Sequence, residues 1–502
     1  MHLKNSSTIA KITAAGVFTL CGCSDSGQKT AKLKNTKPNI IYILADDLGY
    51  SELGCYGQEK IKTPSLDKLA ADGIRFTQHY SGSTVSAPSR CVLLTGKHTG
   101  NSFVRDNYEM GGWADDDEGG QLALPPGTFT IGSMLKDIGY KTAAIGKWGL
   151  GGPGSEGVPN NHGFDLFYGY LCQKQAHNYY PSHLWLNQEW DTLANEYFMP
   201  HEKLKGDEND PRSYDKFKGE DYSLDKMGDK ALEFIKNNKN NPFFLYVPFT
   251  VPHVSLQVPD EYIEEYGYDF PETPYKGEKG YLPHQFPRAA YAAMITRMDA
   301  IIGEIVKLVK NLGLDDNTLI MFSSDNGTTF NGGSDAEFFE SVKPLSGLKC
   351  SVYEGGIRVP MIACWPGKIK PGVVSDHISA FWDVLPTISE ITGAETPADI
   401  DGISMLPTLF GKGNQKKHDY LYWEYHSRGS SQAVRMDEWK AVVNNITNTP
   451  EKVIELYNLK DDIAEKNDVS QENPEVIEKI KEILNSRTES HIERWNFKKK
   501  TK

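Results

Sequence analysis

The chain has 502 residues, a formal net charge of −13 and 39% hydrophobic residues. That length exceeds one small core and predicts two or three domains. The acidic balance argues against nucleic-acid partners, which select a basic face. It leaves an anionic small substrate open, because cations lining a pocket outweigh surface carboxylates beyond a screening length of roughly 8 Å.

The chain opens with Lys4 and Lys11 around a polar start, then an apolar run from Ile12 to Leu20. The run is too short to cross a bilayer, which takes about 20 apolar residues. It ends at Leu20-Cys21-Gly22-Cys23, which resembles a bacterial lipobox. This predicts a lipoprotein signal peptide over 1–22 and lipidation at Cys23. A polar tether over 23–37 follows. The expected location is the periplasm or cell envelope, with an outer-membrane lipid anchor. Cys55, Cys91, Cys172, Cys350 and Cys364 are scattered without a CxxC pair, so neither a disulfide framework nor a zinc site is indicated.

Four apolar runs follow, each ending in polar residues. Asn39–Leu44 ends at Asp46-Asp47, and Lys141–Gly146 at Lys147-Trp148. Phe243–Val247 runs on to Pro252-His253, and Thr318–Phe322 ends at Asp325-Asn326. Continuous apolar runs read as parallel strands buried on both faces. In open α/β sheets ligands bind beyond the carboxyl ends of strands, so Asp, Lys, His and Asn at these ends fit one shared site. Helices alternate with the runs, one opening at Thr63-Pro64 and one over Ala292–Leu312, where Met294, Met298, Ile301, Ile305 and Leu308 recur at helical spacing. Residues 172–222 are rich in Tyr, Trp, His and Asn and predict loops over the site. Tyr179, Tyr180, His183, Trp185 and Trp190 are candidate sugar-facing rings there. Beyond Pro386 the pattern shifts. Strands at Tyr420–Tyr425 and Trp439–Val443 and a helix over Pro474–Glu489 predict a small α+β domain.

Between the first two runs lies Ser86-Ala87-Pro88-Ser89-Arg90-Cys91, running on to Leu94-Thr95-Gly96. It places a hydroxyl at a helix start, proline in the first turn and arginine one turn on. A helix start carries free N–H groups that favour an anion; it is equally the place for an ordinary serine cap. Asp46-Asp47 and Asp325-Asn326 supply hard oxygen ligands, which suit Ca²⁺ or Mg²⁺ rather than zinc.

Ser-Ala-Pro-Ser-Arg with Leu-Thr-Gly resembles the signature of the type I sulfatases of the alkaline phosphatase superfamily. Tyr353-Glu354-Gly355-Gly356-Ile357-Arg358-Val359-Pro360 resembles a second block of that family. The likeness is to bacterial glycan sulfatases of the galactose or N-acetylgalactosamine-6-sulfate type. It implies a large mixed sheet sandwiched by helices as the catalytic domain over 38–395, with a smaller C-terminal α+β domain over 396–502. It further implies that a maturation enzyme converts Ser86 to formylglycine (3-oxoalanine). One Ca²⁺ would be held by Asp46, Asp47, Asp325 and Asn326 together with residue 86. Arg90, Lys147, His253 and Lys349 then match the family's catalytic and sulfate-binding residues. In that family the second residue after the lysine at 147 is commonly histidine, which orients or deprotonates the formylglycine hydroxyl. This chain has Gly149, and His177 is the candidate to take over that role. Arg105 and Asn107 are candidates to grip the sugar. The expected activity is hydrolysis of sulfate esters on sulfated carbohydrate. Two rivals are a phosphatase or phosphodiesterase using plain Ser86 and a lipid-anchored glycan-binding protein without catalysis.

Overall fold

The computed structural model describes residues 37–267, 270–449 and 452–497. The signal peptide, Cys23 and the tether up to residue 36 lie outside the described residues. The first strands in chain order are β1 (Asn39–Asp46), β2 (Ile74–Tyr80), β3 (Lys141–Lys147), β4 (Leu166–Tyr170), β5 (His183–Leu186) and β6 (Glu189–Thr192). They are followed by β7 (Phe243–Pro252), β8 (Thr318–Ser324), β9 (Arg358–Cys364), β10 (Val373–Ser375) and β11 (Ser379–Ala380). All belong to one 11-stranded mixed sheet, in the order β10-β2-β9-β8-β1-β7-β3-β4-β5-β6, with β11 also on β2.

The centre of the sheet is parallel. Ile41 of β1 pairs with Leu245 of β7 on one side and Ile320 of β8 on the other. The apolar run of β1 is continuous because both faces of the strand are covered. Ile41, Ile43 and Ala45 belong to one core. Ile40, Tyr42 and Leu44 belong to the core on the opposite face. The first core is closed by the helix Pro287–Asn311, which buries Met294, Met298, Ile301, Ile302 and Ile305. Each such side chain contributes about 2 kcal/mol relative to exposure. Gly228 of the Ser223–Asn238 helix gives room for Ile301: a Cβ there would stand 2.9 Å from its Cγ2. Ile301→Ala would therefore open a cavity at a helix crossing, a change that costs about 2–5 kcal/mol. The opposite core takes the helix Ser86–Thr95, every residue of which is buried.

Two elements differ from the sequence expectation. Residues 172–222 are not loop throughout: β5 and β6 form a hairpin, paired His183 to Thr192 and Leu186 to Glu189, that extends the sheet edge. Tyr179 and Tyr180 are buried at 0% and 3% exposure, so they are packing residues rather than sugar platforms. Trp190, at 49% exposure, stacks on His183.

The C-terminal sheet is antiparallel, β12 (Leu421–Tyr425), β13 (Ser431–Met436), β14 (Trp439–Val443) and β15 (Ile454–Asn458) in sequence order. Period-2 alternation gives it two buried faces. Tyr422, Val434 and Ala441 pack on Val476, Ile480 and Leu484 of the helix Pro474–Asn485. Leu421, Trp423 and Ala433 join the large core instead. Trp423 Nε1 donates to Ser81 O at 2.9 Å, tying this sheet to the strand-to-helix connection before Ser86.

Candidate active site

The carboxyl ends of β1, β3, β7 and β8 converge, as a doubly covered sheet dictates. Asp46 closes β1 and Asp47 follows it with φ of 65°, a turn that sends the two carboxylates to different partners. Ser86 is the first residue of its helix. Its hydroxyl caps nothing and donates to Asp46 Oδ1 at 3.1 Å. The adjacent N–H of Ala87 is satisfied by Asn107 Oδ1 at 3.0 Å.

Three cations meet three carboxylates around Ser86. Lys147 Nζ lies 2.5 Å from Asp46 Oδ2. Lys349 Nζ lies 2.7 Å from Asp47 Oδ2. Arg90 donates to Asp325 Oδ2 through Nε at 3.1 Å and Nη2 at 2.8 Å, and through Nη1 to Lys147 O at 2.6 Å. Asp47 N donates to Asp325 Oδ1 at 3.1 Å, and Asn326 Nδ2 to Asp47 Oδ1 at 2.7 Å. Asp46, Asp47, Asp325 and Asn326 are all 0% exposed.

Two observations make this a candidate cation site. Asn326 Oδ1 is buried with no hydrogen-bond partner, an acceptor that costs about 1–3 kcal/mol to leave unmet. The carboxylates are also crowded. Burial and the charge of Asp46 push Asp325 above the usual carboxylate range against Arg90. Burial would raise Asp46 as well, but Lys147, His253 and Arg90 hold it well below that range. An oxygen-only set with an unmet carbonyl fits a hard divalent ion.

His253 follows β7. Its Nδ1 is 2.5 Å from Val254 O, so that nitrogen carries a proton, and its Nε2 lies 3.7 Å from Asp47 Oδ2. Burial and Lys349 lower its pKa to about 4 against the pull of Asp47. Lys349 is the reverse case: burial disfavours its charge, but Asp47 outweighs that and holds it well above the usual lysine value. Tyr179, one of the rings expected to face sugar, instead donates to His253 O at 2.7 Å and holds this loop in place.

Gly149 has φ of 75°, and a Cβ there would lie 2.3 Å from Gln173 Nε2. The room for a side chain at 149 is filled by Gln173, whose Nε2 is buried without a partner. His177 stands elsewhere, stacked on His253 at 4.8 Å between centroids. Arg105 is not brought to the site. It is 2% exposed, and it donates to Glu424 Oε1, Thr488 O, Thr488 Oγ1 and Ser102 O. Its guanidinium braces the C-terminal sheet, so the expected grip on substrate gives way to a structural contact. Asn107 stays beside the Ser86 helix start. Sequence reasoning missed Gln173, His201 and Tyr281. None lies in a recognisable motif or at a strand end, and long-range packing alone brings them here.

The Sulfatase family profile matches residues 38–394. The chain belongs to the sulfatase family. The profile for the C-terminal part of N-sulphoglucosamine sulphohydrolase matches residues 348–492. This sulfatase is 29% identical over 540 residues to an N-acetylgalactosamine-6-O-sulfatase of Bacteroides thetaiotaomicron, covering 94% of this chain and 97% of that protein. It is 30% identical to arylsulfatase G of Rattus norvegicus, covering 89% and 85%. Among solved structures it is similar to Ps i-CgsB in complex with k-i-k-neocarrahexaose. That match has a TM-score of 0.72 and 28% identity, over 90% of this chain and 94% of that one. The protein is thus a sulfuric ester hydrolase, which decides against the phosphatase and binding-protein readings.

Proposed function

We propose that this sulfatase removes sulfate from sugars, with galactose or N-acetylgalactosamine units as the preferred carriers. It does so through formylglycine at position 86 and one Ca²⁺. The observation that carries the reading is Ser86 hydrogen-bonded to Asp46 inside a buried oxygen-only cradle, faced by Arg90, Lys147 and Lys349. The relatives support the sugar: one is an N-acetylgalactosamine-6-O-sulfatase, and another is seen with a neocarrahexaose.

Asp46, Asp47, Asp325 and Asn326 would hold the ion. An ion held there would supply Lewis-acid stabilisation of the negative charge gathered at the site. Formylglycine at 86 would supply a hydroxyl nucleophile for sulfur and a second hydroxyl for release of the sulfate by elimination. The chain's own charges do the rest. The three carboxylates and three cations cancel when ionised, so a divalent cation leaves the site positive toward an anionic ester. Arg90 fixes Asp325 and the backbone of Lys147 in one geometry. Lys147 and Lys349 stabilise charge on the sulfuryl oxygens. The proton for the departing sugar oxygen is assigned to His253, with Lys349 beside it. The N-terminal lipobox-like pattern supports export and a lipid anchor, and the serine position supports a dedicated maturation enzyme. Among the described residues no helix is long and apolar enough to cross a membrane.

The test pairs calorimetry with turnover. Ca²⁺ should bind the mature protein, and Asn326→Ala should weaken binding at least tenfold, about 1.4 kcal/mol or more, with the fold intact. Sulfate should be released from N-acetylgalactosamine 6-sulfate or galactose 6-sulfate, and Ser86→Ala should abolish it. Undiminished turnover in Ser86→Ala, or Ca²⁺ binding indifferent to Asn326, contradicts the reading.

A further inference from the structure

Three imidazoles and a phenol line one wall of the site, and their hydrogen bonds determine where the protons sit. The His177 ring lies flat against His253, at 12° between planes. Its Nδ1 is 3.0 Å from His201 Nε2. His201 Nδ1 accepts the backbone N–H of Tyr281 at 3.2 Å. A backbone N–H only donates, so His201 Nδ1 presents a lone pair and the ring proton sits on Nε2. That proton points at His177 Nδ1, which accepts it. The proton of a neutral His177 is then left on Nε2.

The surroundings keep this arrangement fixed. His201 stacks on Trp113 at 5.6 Å and 28°, and its ring meets Tyr281 at 4.9 Å. Lys174 lies 4.0 Å above the Trp113 ring. Burial pushes His177 well below its ordinary pKa, and His253, His201, Lys147 and Lys349 push the same way, so its ring stays neutral. His177 is half-buried, and Nδ1 is its one hydrogen-bonded nitrogen among the described residues. Its Nε2–H remains free for a ligand.

We propose that His201 is a positioning residue. It locks His177 as a hydrogen-bond donor through Nε2, presented to an oxygen of the sulfate ester bound beside residue 86. The inference rests on the proposed sugar-sulfatase reading for its substrate, but its structural core does not depend on turnover. The relay excludes a substrate group that only donates at this point and favours a sulfate, hydroxyl or carbonyl oxygen.

The full-length mature enzyme labelled with ¹⁵N-histidine tests the proton positions. The His177 signals, assigned by their loss in His177→Ala, should show Nε2 protonated and Nδ1 bare. His201→Phe keeps the stack on Trp113 but removes the donor, and should scramble this pattern. His201→Gln keeps an acceptor and a donor, and should restore it. In kinetics with N-acetylgalactosamine 6-sulfate, or 4-nitrophenyl sulfate if the sugar is not turned over, His201→Phe should lower kcat/KM about tenfold, the scale of one lost hydrogen bond. In a His177→Ala background the same change should cost nothing further. A proton on His177 Nδ1 in the wild type, or an equal loss in both backgrounds, overturns the proposal. Inertness toward every sugar sulfate with the expected ¹⁵N pattern would instead fault the substrate reading alone.

Discussion

Arg90 makes three hydrogen bonds that no lysine makes together, two to one oxygen of Asp325 and one to Lys147 O. A planar fork fits this geometry and a point charge does not. Arg90→Lys should lower kcat at least a hundredfold and destabilise the fold by about 3 kcal/mol, since Asp325 is left partly unpaired in a buried place. Steady-state kinetics and thermal melting measure the two effects; retention of both values would show that Arg90 is replaceable. At this scale much of the site was readable. Asp46, Asp47, Ser86, Arg90, Lys147, His253, Asp325 and Lys349 sit at strand ends or in short motifs, and they do meet. Arg105 misled because a cation beside a motif looks functional in one dimension, whereas Glu424, its ion-pair partner, lies 319 positions away.

At the scale of elements, the turn after β3 is set by Gly149. Its positive φ strains any residue with a Cβ, and the Gln173 side chain must shift to admit one. Gly149→Ala should cost about 1–2 kcal/mol, from backbone strain at positive φ. Shortening the obstructing side chain in Gly149→Ala/Gln173→Ala should recover only the part due to the clash. Denaturant unfolding separates these contributions; a neutral Gly149→Ala would refute the argument. The joint to the C-terminal sheet has its own signature. Burial would raise Glu424, but its bonds to His426 and Arg487, with Arg105 adding, bring its pKa down from 4.5 to about 2. A carboxylate with a depressed folded pKa stabilises above its unfolded value, and that stability is lost as pH falls. Glu424→Gln should therefore be less stable near neutrality and show a flatter melting curve between pH 4.5 and 2. An unchanged acid slope would mean that the joint does not depend on this charge. The parallel centre and the small C-terminal unit were predictable from periodicity. The β5–β6 hairpin was not, because its short, aromatic-rich strands alternate weakly and carry a half-exposed edge.

For the whole molecule, two cores on opposite faces of one sheet bring distant residues to a single cradle. Sequence distance is then no guide to the site: Ser86 meets Asp46 forty positions back, and Arg90 meets Asp325 at a separation of 235. That convergence places one particular demand on residue 86. A buried serine on Asp46 has a hydroxyl for attack but no second hydroxyl to expel the sulfate it captures. Under the proposed mechanism, turnover by elimination therefore depends on the conversion of Ser86 to formylglycine. Peptide mass spectrometry on enzyme purified in an active state from a host with its maturation enzyme tests this most directly. The peptide spanning residue 86 should be lighter than its encoded mass by one pair of hydrogens, as formylglycine requires. An active sulfatase carrying unmodified serine at that position would contradict the account.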